Sequence, residues 1–225
     1  MKFVSQKVEE NVAIVTLDCQ EKNALTDPFV QELRETIAAV EKDKAIKSLV
    51  ITGGHEKYFC TGLDLDWMTK QQYEDVIKFL LNVNQLLKQT AMFGKPLIGA
   101  INGHAFAAGG MLALAHDFRV MRADRGFFCL PEVDIQLPLQ PGMTALIKSR
   151  LSPAAARDAI LTGARIGGAE AVQRGIVDDA VAMEDVLPRA VARAAGLAGK
   201  DRAIYGTLKR GLYADVRVAL TGGVA

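Results

Sequence analysis

Polar and apolar residues mix along the N-terminus, where residues 3–8 and 12–17 both read as strands, with the polar Glu9-Glu10-Asn11 turning between them. Thr26-Asp27-Pro28 then offers a cap and a proline for a first helical turn, and Leu33, Ile37 and Val40 follow at helical spacing. SLVITGG, residues 48–54, reads as a short apolar strand stopped by two glycines. A longer helix is predicted from about residue 71 to 93, with Val76, Leu80, Val83 and Leu87 on one face. PLIGAING (96–103) is the next buried strand, AAGGMLALA (107–115) turns helical at once, and FRVMRA (118–123) is a strand again. Helices are expected over 141–150, 152–161 and 169–174, then a short strand over 177–181 and helices near 185–198 and 201–213.

This alternation predicts an α/β fold with largely parallel strands and right-handed crossovers. No repeat, low-complexity tract or long linker interrupts it. The expected division is a core over 1–188 and an alanine-rich helical C-terminal region over 189–225, docking as a separate tail. Charge narrows the function classes. Lysine plus arginine (27) nearly balances aspartate plus glutamate (26), which argues against nucleic acid or an anionic membrane as partner. No apolar run reaches the ~18 residues of a membrane span, and the N-terminus lacks a signal peptide's apolar core. Cys19, Cys60 and Cys129 are scattered, forming neither a disulfide framework nor a metal motif. The ending TGGVA is not an SKL-type address, so the cytoplasm is the expected compartment.

Two strand-to-helix junctions stand out: YFCTGLDL (58–65) and INGHAFAAGGMLALAHD (101–117). Small residues at such junctions leave backbone N–H groups without intrahelical partners, and a helix N-terminus favours negative charge. Two such amides converging on one point stabilise an oxyanion, each worth about 10²–10³-fold in rate. The plainer alternative is that the glycines only let strand and helix pack closely.

Three ordered motifs give the set a family likeness over nearly the whole chain. Phe59-Cys60-Thr61-Gly62-Leu63-Asp64-Leu65, the block from Asn102 to Asp117, and Pro131-Glu132-Val133 together resemble the enoyl-CoA hydratase/isomerase (crotonase) superfamily. Within it, NGHAFAAG, DRGFF and PEVDIQL resemble monofunctional Δ3,Δ2-enoyl-CoA isomerases. The resemblance implies a ClpP-like spiral of ββα units with a helical C-terminal region, assembled as a trimer or pair of trimers. It implies oxyanion-hole amides at Leu63 and Ala108, where Ala108 replaces a glycine common in the family. A backbone donor tolerates that change unless the turn needs a positive φ. It also implies an acyl-CoA thioester substrate, lying along Thr61, Gly62, Leu63, Asp64 and Leu65 and near Lys22, Asn23 and Ala24, with Ala108 and Met111 beside the acyl group. No cofactor beyond the substrate's own coenzyme A is expected, and no metal.

The catalytic carboxylate separates the family's activities. Members that hydrate 2-enoyl-CoA resemble one another in using two glutamates. Here the first of those positions is Met111, which neither takes nor gives a proton, and the second is Glu132. A single base suits a shuttle that takes a proton from C2 and returns it to C4 through a dienolate held by two amides. Met111 makes the pocket wall drier and discourages water addition. The expected activity is therefore conversion of 3-enoyl-CoA to 2-trans-enoyl-CoA. The alternatives are an enoyl-CoA hydratase or other acyl-CoA enzyme of the superfamily, and a non-catalytic acyl-CoA-binding homologue.

Other candidates rank below these. Asp134 would share a face with Glu132 if the segment were extended. Asp64 reads as a loop cap, and His55, His104 and His116 form no ligand cluster. Cys60 has no positioned base nearby, Trp67 and Met68 wall either the acyl pocket or the core, and Arg122, Arg125 and Lys148 are candidates for the coenzyme A phosphates.

Overall fold

The computed structural model describes residues 2–221; Met1 and residues 222–225, the end of the expected C-terminal region, lie outside them. β1 (Val4–Glu9) and β2 (Val12–Leu17) form an antiparallel hairpin, and α1 (Asp27–Lys42) follows with Pro28 in its first turn. Strand–strand–helix units come next. β3 (Ser48–Gly53) and β4 (Tyr58–Cys60) lead to α2 (Leu65–Met68) and α3 (Tyr73–Ala91). β5 (Leu97–Ile101) and β6 (His104–Phe106) lead to α4 (Ala108–Ala115). β7 (Phe118–Arg122) and β8 (Phe128–Cys129) lead through a 3-10 turn at Pro131–Val133 to α5 (Pro141–Arg150) and α6 (Pro153–Thr162). α7 (Gly168–Gln173), β9 (Asp179–Val181), α8 (Met183–Leu197), α9 (Arg202–Leu212) and α10 (Ala214–Ala219) follow among the described residues.

In each unit the first strand joins a six-stranded sheet, ordered β1-β2-β3-β5-β7-β9 and parallel from β2 onward. The second strand joins a small parallel sheet, β4-β6-β8. This is the expected spiral of ββα units in an α/β chain. The small sheet was not legible beforehand, because strands of three, three and two residues are too short to display a period.

Alternation within the long strands explains why they read as continuously apolar. Val12, Ile14, Val50, Ile98 and Val120 pack under Val186, Ala190 and Ala194 of α8. Their neighbours Ala13, Val15, Leu49, Ile51 and Leu97 face the larger core with α1, α3 and α4. A sheet covered on both faces demands hydrophobic residues at every position. α8 spans the expected division at 188 and supplies one of these covers. On α3 the buried stripe runs through Phe79, Val83, Leu86, Leu87 and Thr90, whereas Val76 and Leu80 are only half buried.

Buried polar groups hold the far end of the frame. Asp117, just beyond α4, takes the Lys209 ammonium at 2.7 Å, the Tyr205 hydroxyl at 2.9 Å and the Leu97 N–H at 3.0 Å. That carboxylate ties α9 to the main sheet, and breaking such a buried pair typically costs about 3–5 kcal/mol. Among the described residues, no helix is long and apolar enough to cross a membrane.

His116 closes α4 fully buried, with Nδ1 2.8 Å from the Leu112 carbonyl. Burial pushes its pKa down from 6.5 to about 3. Between those values the unfolded chain binds a proton that the folded chain refuses, so stability falls as pH falls. From pH 7 to pH 5 the wild type is expected to lose about 2 kcal/mol more than His116→Gln, read by urea titration of both proteins.

Candidate active site

The site is built where α4 meets β4. Gly109, in the first turn of α4, lies so close to β4 that a Cβ there would sit 2.1 Å from the Cys60 carbonyl oxygen. Gly62, at φ +89°, turns the chain immediately after β4; its Cβ would lie 3.0 Å from the Ala108 nitrogen. The segments around Leu63 and Ala108 are therefore side by side.

Both amides are left free. The Leu25 N–H donates to the Gly62 carbonyl at 2.7 Å, and the Asp64 N–H donates to the Leu25 carbonyl at 2.9 Å. This parallel bridge uses the peptide groups on either side of Leu63, so the Leu63 N–H points the other way. Ala108 opens α4, where an N–H has no intrahelical acceptor. Neither N–H has a hydrogen-bond partner among the described residues. Leu63 and Ala108 line one cavity of about 210 Å³, and α4 directs its positive end there.

The positive φ falls on Ala107 rather than Ala108. Ala107 sits at φ 49°, ψ −126°, a conformation that favours glycine, and Ala108 is already helical. The strain is held from both sides: the Ala107 N–H donates to the Cys129 carbonyl, and its own carbonyl accepts the Met111 N–H, each at 3.0 Å. The alanine at 108 thus costs nothing.

Glu132 completes the cavity from the 3-10 turn. Its carboxylate is buried, Oε2 has no hydrogen-bond partner, and burial pushes its pKa above the usual 4.5 despite its own backbone N–H. It is the sole ionisable side chain of this lining, which it shares with Met111, Phe106, Leu137, Leu139 and Met143. Asp134 does not share that face. The segment turns instead of extending, with the Asp134 and Ile135 N–H groups both donating to the Pro131 carbonyl. Asp134 ends exposed, over Gly163, where an added Cβ would meet its Oδ2 at 2.4 Å.

The other candidates divide. Thr61 and Leu65 line the cavity with Leu63, Ala108, Met111 and Glu132; Gly62 and Asp64 do not. Asp64 caps α2, accepting the Trp67 N–H at 2.9 Å. Lys22 is exposed and Ala24 half buried outside the cavity, next to the Leu25–Leu63 bridge. Between them the buried Asn23 accepts the Cys19 N–H at 2.7 Å and donates to the Phe59 carbonyl at 3.1 Å, a clamp on β4. Trp67 packs into the core, edge-on to Phe79 at 5.1 Å, and Met68 joins that core.

Cys60 is buried, with its thiol pushed up to about 12 by burial, which excludes a thiolate nucleophile. His104 accepts the Phe127 N–H at 3.2 Å and packs against Phe106 and Phe127; burial and then Lys57 lower its pKa, keeping it neutral. Arg122 is committed elsewhere, gripping Asp124 at 2.8 Å and the Glu56 carbonyl at 2.9 Å, so it is no free phosphate ligand. Arg125 is exposed, and Lys148 lines a separate cavity beside α6. Among the described residues no cluster of His, Cys, Asp or Glu is placed to hold a metal. Phe106, Ala107, Leu139 and Met143 were not singled out from the sequence, where they read as ordinary core residues.

A family model described as Enoyl-CoA hydratase/isomerase matches residues 7–225. The chain is 32% identical to enoyl-CoA delta isomerase 3 of Arabidopsis thaliana, over 90% of this chain and 89% of that one. The crystal structure of human mitochondrial delta3-delta2-enoyl-CoA isomerase superposes with a TM-score of 0.92 at 25% identity, covering 97% of this chain and 86% of the other. A probable enoyl-CoA hydratase of Mycobacterium tuberculosis also superposes at 0.92, with 28% identity over 98% and 92% of the two chains.

The backbone reading has a direct test in thermal unfolding. Ala107→Gly is expected to stabilise the protein by about 1 kcal/mol by releasing left-handed strain. Gly62→Ala is expected to destabilise it by at least that much, since a side chain there is strained at φ +89° and crowds Ala108.

Proposed function

This chain belongs to the enoyl-CoA hydratase/isomerase family, and on that premise we propose that it converts 3-enoyl-CoA to 2-trans-enoyl-CoA with Glu132 as its only proton shuttle. The supporting observation is the cavity lining: one carboxylate, two unpartnered amides and otherwise no ionisable side chain. The thioester carbonyl oxygen accepts from the Leu63 and Ala108 N–H groups. Glu132 removes the C2 proton, and the electron pair of the broken C–H bond delocalises onto that oxygen as a dienolate. Protonation at C4 by the same carboxyl group then moves the double bond from C3–C4 to C2–C3. The coenzyme A moiety lies along 61–65, with Lys22 and Ala24 at its edge, and the reaction so written uses no cofactor.

The apolar lining weights this reading against hydration. Addition of water to C3 needs a water held opposite the carboxylate by a second polar group. Met111 stands at the position of the second glutamate and lines the cavity with Met143, and Thr61 is the one side chain of that lining besides Glu132 with a hydroxyl or carboxyl group. The same lining raises the Glu132 pKa by disfavouring its charged form, which makes the carboxylate a stronger base toward a carbon acid. We also propose a trimer or pair of trimers, working in the cytoplasm. For the assembly, the support is the exposed apolar stripe of Ile204, Leu208 and Leu212 along α9.

The proposal is tested by offering 3-enoyl-CoA and 2-enoyl-CoA separately to wild type and Glu132→Gln, with products separated by chromatography. Wild type should convert the 3-enoyl thioester, and the variant should be slower by about 10²–10⁴-fold. Faster hydration of the 2-enoyl thioester than isomerisation of the 3-enoyl one would overturn the reading, and binding without turnover would point to a non-catalytic homologue. In the wild type, kcat/KM should fall as pH falls through a midpoint above 4.5, because the base must be ionised. A raised carboxylate pKa also means that stability is lost as pH rises. Glu132→Gln should therefore unfold at a higher temperature than wild type at pH 8, with the gap closing below pH 4.5.

A further inference from the structure

A second cavity, of about 490 Å³, opens at the other end of the main sheet, where β3 and β5 begin. Lys44, Ile46 and Lys47 reach it from the segment between α1 and β3, Lys95 and Pro96 directly precede β5, and Ala198, Lys200, Asp201 and Arg202 join α8 to α9. The active site lies past the far ends of the same strands, so five or six residues of strand, roughly 15–20 Å, separate the two. Five cations and one carboxylate line the space, and none of the five joins an ion pair among the described residues. The carboxylates within reach are engaged with backbone: Asp201 accepts the Ile204 N–H, Glu41 the Gly94 N–H and Asp43 the Ala45 N–H, each at 2.8 Å. Lys95 is the buried member. Its ammonium donates to the Val40 and Asp43 carbonyls at 2.7 and 2.6 Å, closing the end of α1, and its third proton has no acceptor among the described residues. Burial and then the Arg202 charge lower its pKa from 10.5 to about 8, the mark of cations held together against their repulsion.

We propose that this basic cavity is a second ligand site, which binds the diphosphate group of a small phosphorylated molecule between Lys44 and Lys47 on one side and Lys200 and Arg202 on the other. The cations come from three separate segments, so one phosphate cannot meet them all, whereas two linked phosphates span a wider gap. Their common sign focuses the field in a concave site, which favours a multiply charged anion over single counterions. The volume lies within the roughly 300–1,000 Å³ of small-molecule sites. Ile46, Pro96 and Ala198 give the same cavity an apolar side, suited to a nucleoside or similar group attached to the phosphates. A ligand held there joins the α8–α9 connection to the start of the main sheet, adding to the tie that Lys209 and Asp117 make further along α9. The site is independent of the reaction at Glu132.

Calorimetry with inorganic pyrophosphate and with ADP tests this, on wild type and on the double variant Lys44→Glu, Arg202→Gln, both changes at exposed positions. Titrations are run at constant ionic strength near 0.15 M, with and without saturating butanoyl-CoA. Wild type should bind pyrophosphate with a Kd below about 1 mM whether or not the acyl-CoA is present, and its unfolding temperature should rise with the ligand. The double variant should bind it at least about tenfold more weakly while keeping wild-type affinity for butanoyl-CoA, which shows that the fold is intact. Tighter binding of ADP than of pyrophosphate identifies a nucleotide as the natural ligand, and equal binding identifies the free diphosphate; either result supports the site. Absence of binding, or equal binding by wild type and variant, overturns the proposal. So does full displacement by sulfate at equal concentration, which reduces the cavity to a general counterion patch. Loss of pyrophosphate binding when butanoyl-CoA is added overturns it too, because the anion would then be occupying the place of the substrate's own phosphates.

Discussion

The contact of Gly109 with the Cys60 carbonyl is the constraint on which the site depends. A helix can start this near to a strand end only if its first turn carries no side chain on the facing side. That approach carries the Ala108 N–H to the edge of the turn formed by Gly62, and the Leu25 bridge turns the Leu63 N–H toward the same space. Separating the helix from the strand by the width of one methyl group would part the two donors. Oxyanion stabilisation is a matter of tenths of an ångström in donor position, so the proposed chemistry would ride on a packing contact between two backbones.

Three unfavourable features gather at the site. Ala107 holds a strained φ, Glu132 is buried without a partner for Oε2, and Gln136 takes a left-handed conformation in the turn that positions Glu132. Elsewhere buried polar groups are mostly satisfied: Asp117 by Lys209 and Tyr205, Arg119 by the Ile176 and His116 carbonyls, Arg122 by Asp124. Concentrated strain and an unpaired carboxylate mark a site maintained against stability by the surrounding core. The well-packed sheet and its two helical covers supply the excess.

The dryness of the cavity and the basicity of Glu132 have the same origin. Met111, Met143, Leu137 and Leu139 surround the carboxylate with apolar groups, which raises its pKa and would strengthen the amide–enolate hydrogen bond of the proposed reaction. Because the Leu137 N–H donates to the Glu132 carbonyl, the apolar wall and the carboxylate belong to one turn.

The sequence by itself determined the layering, the long strands and the helices, because burial on one or both faces imposes a period that survives in the residue pattern. It also determined the chemical identities that matter: a methionine at 111, a glutamate at 132, small residues at 62, 107, 108 and 109. Directions were decided only by the tertiary structure. The small β4-β6-β8 sheet, the outward turn of Asp134, the strain on Ala107 rather than Ala108 and the clamp made by Asn23 all arise from such distant contacts. They join Leu63 to Leu25, Gly109 to Cys60 and Ala107 to Cys129 across tens of positions. A local pattern records how much of a residue is buried. Where its N–H points is set by whichever distant segment takes up the neighbouring peptide groups, and that is settled only when the chain has folded.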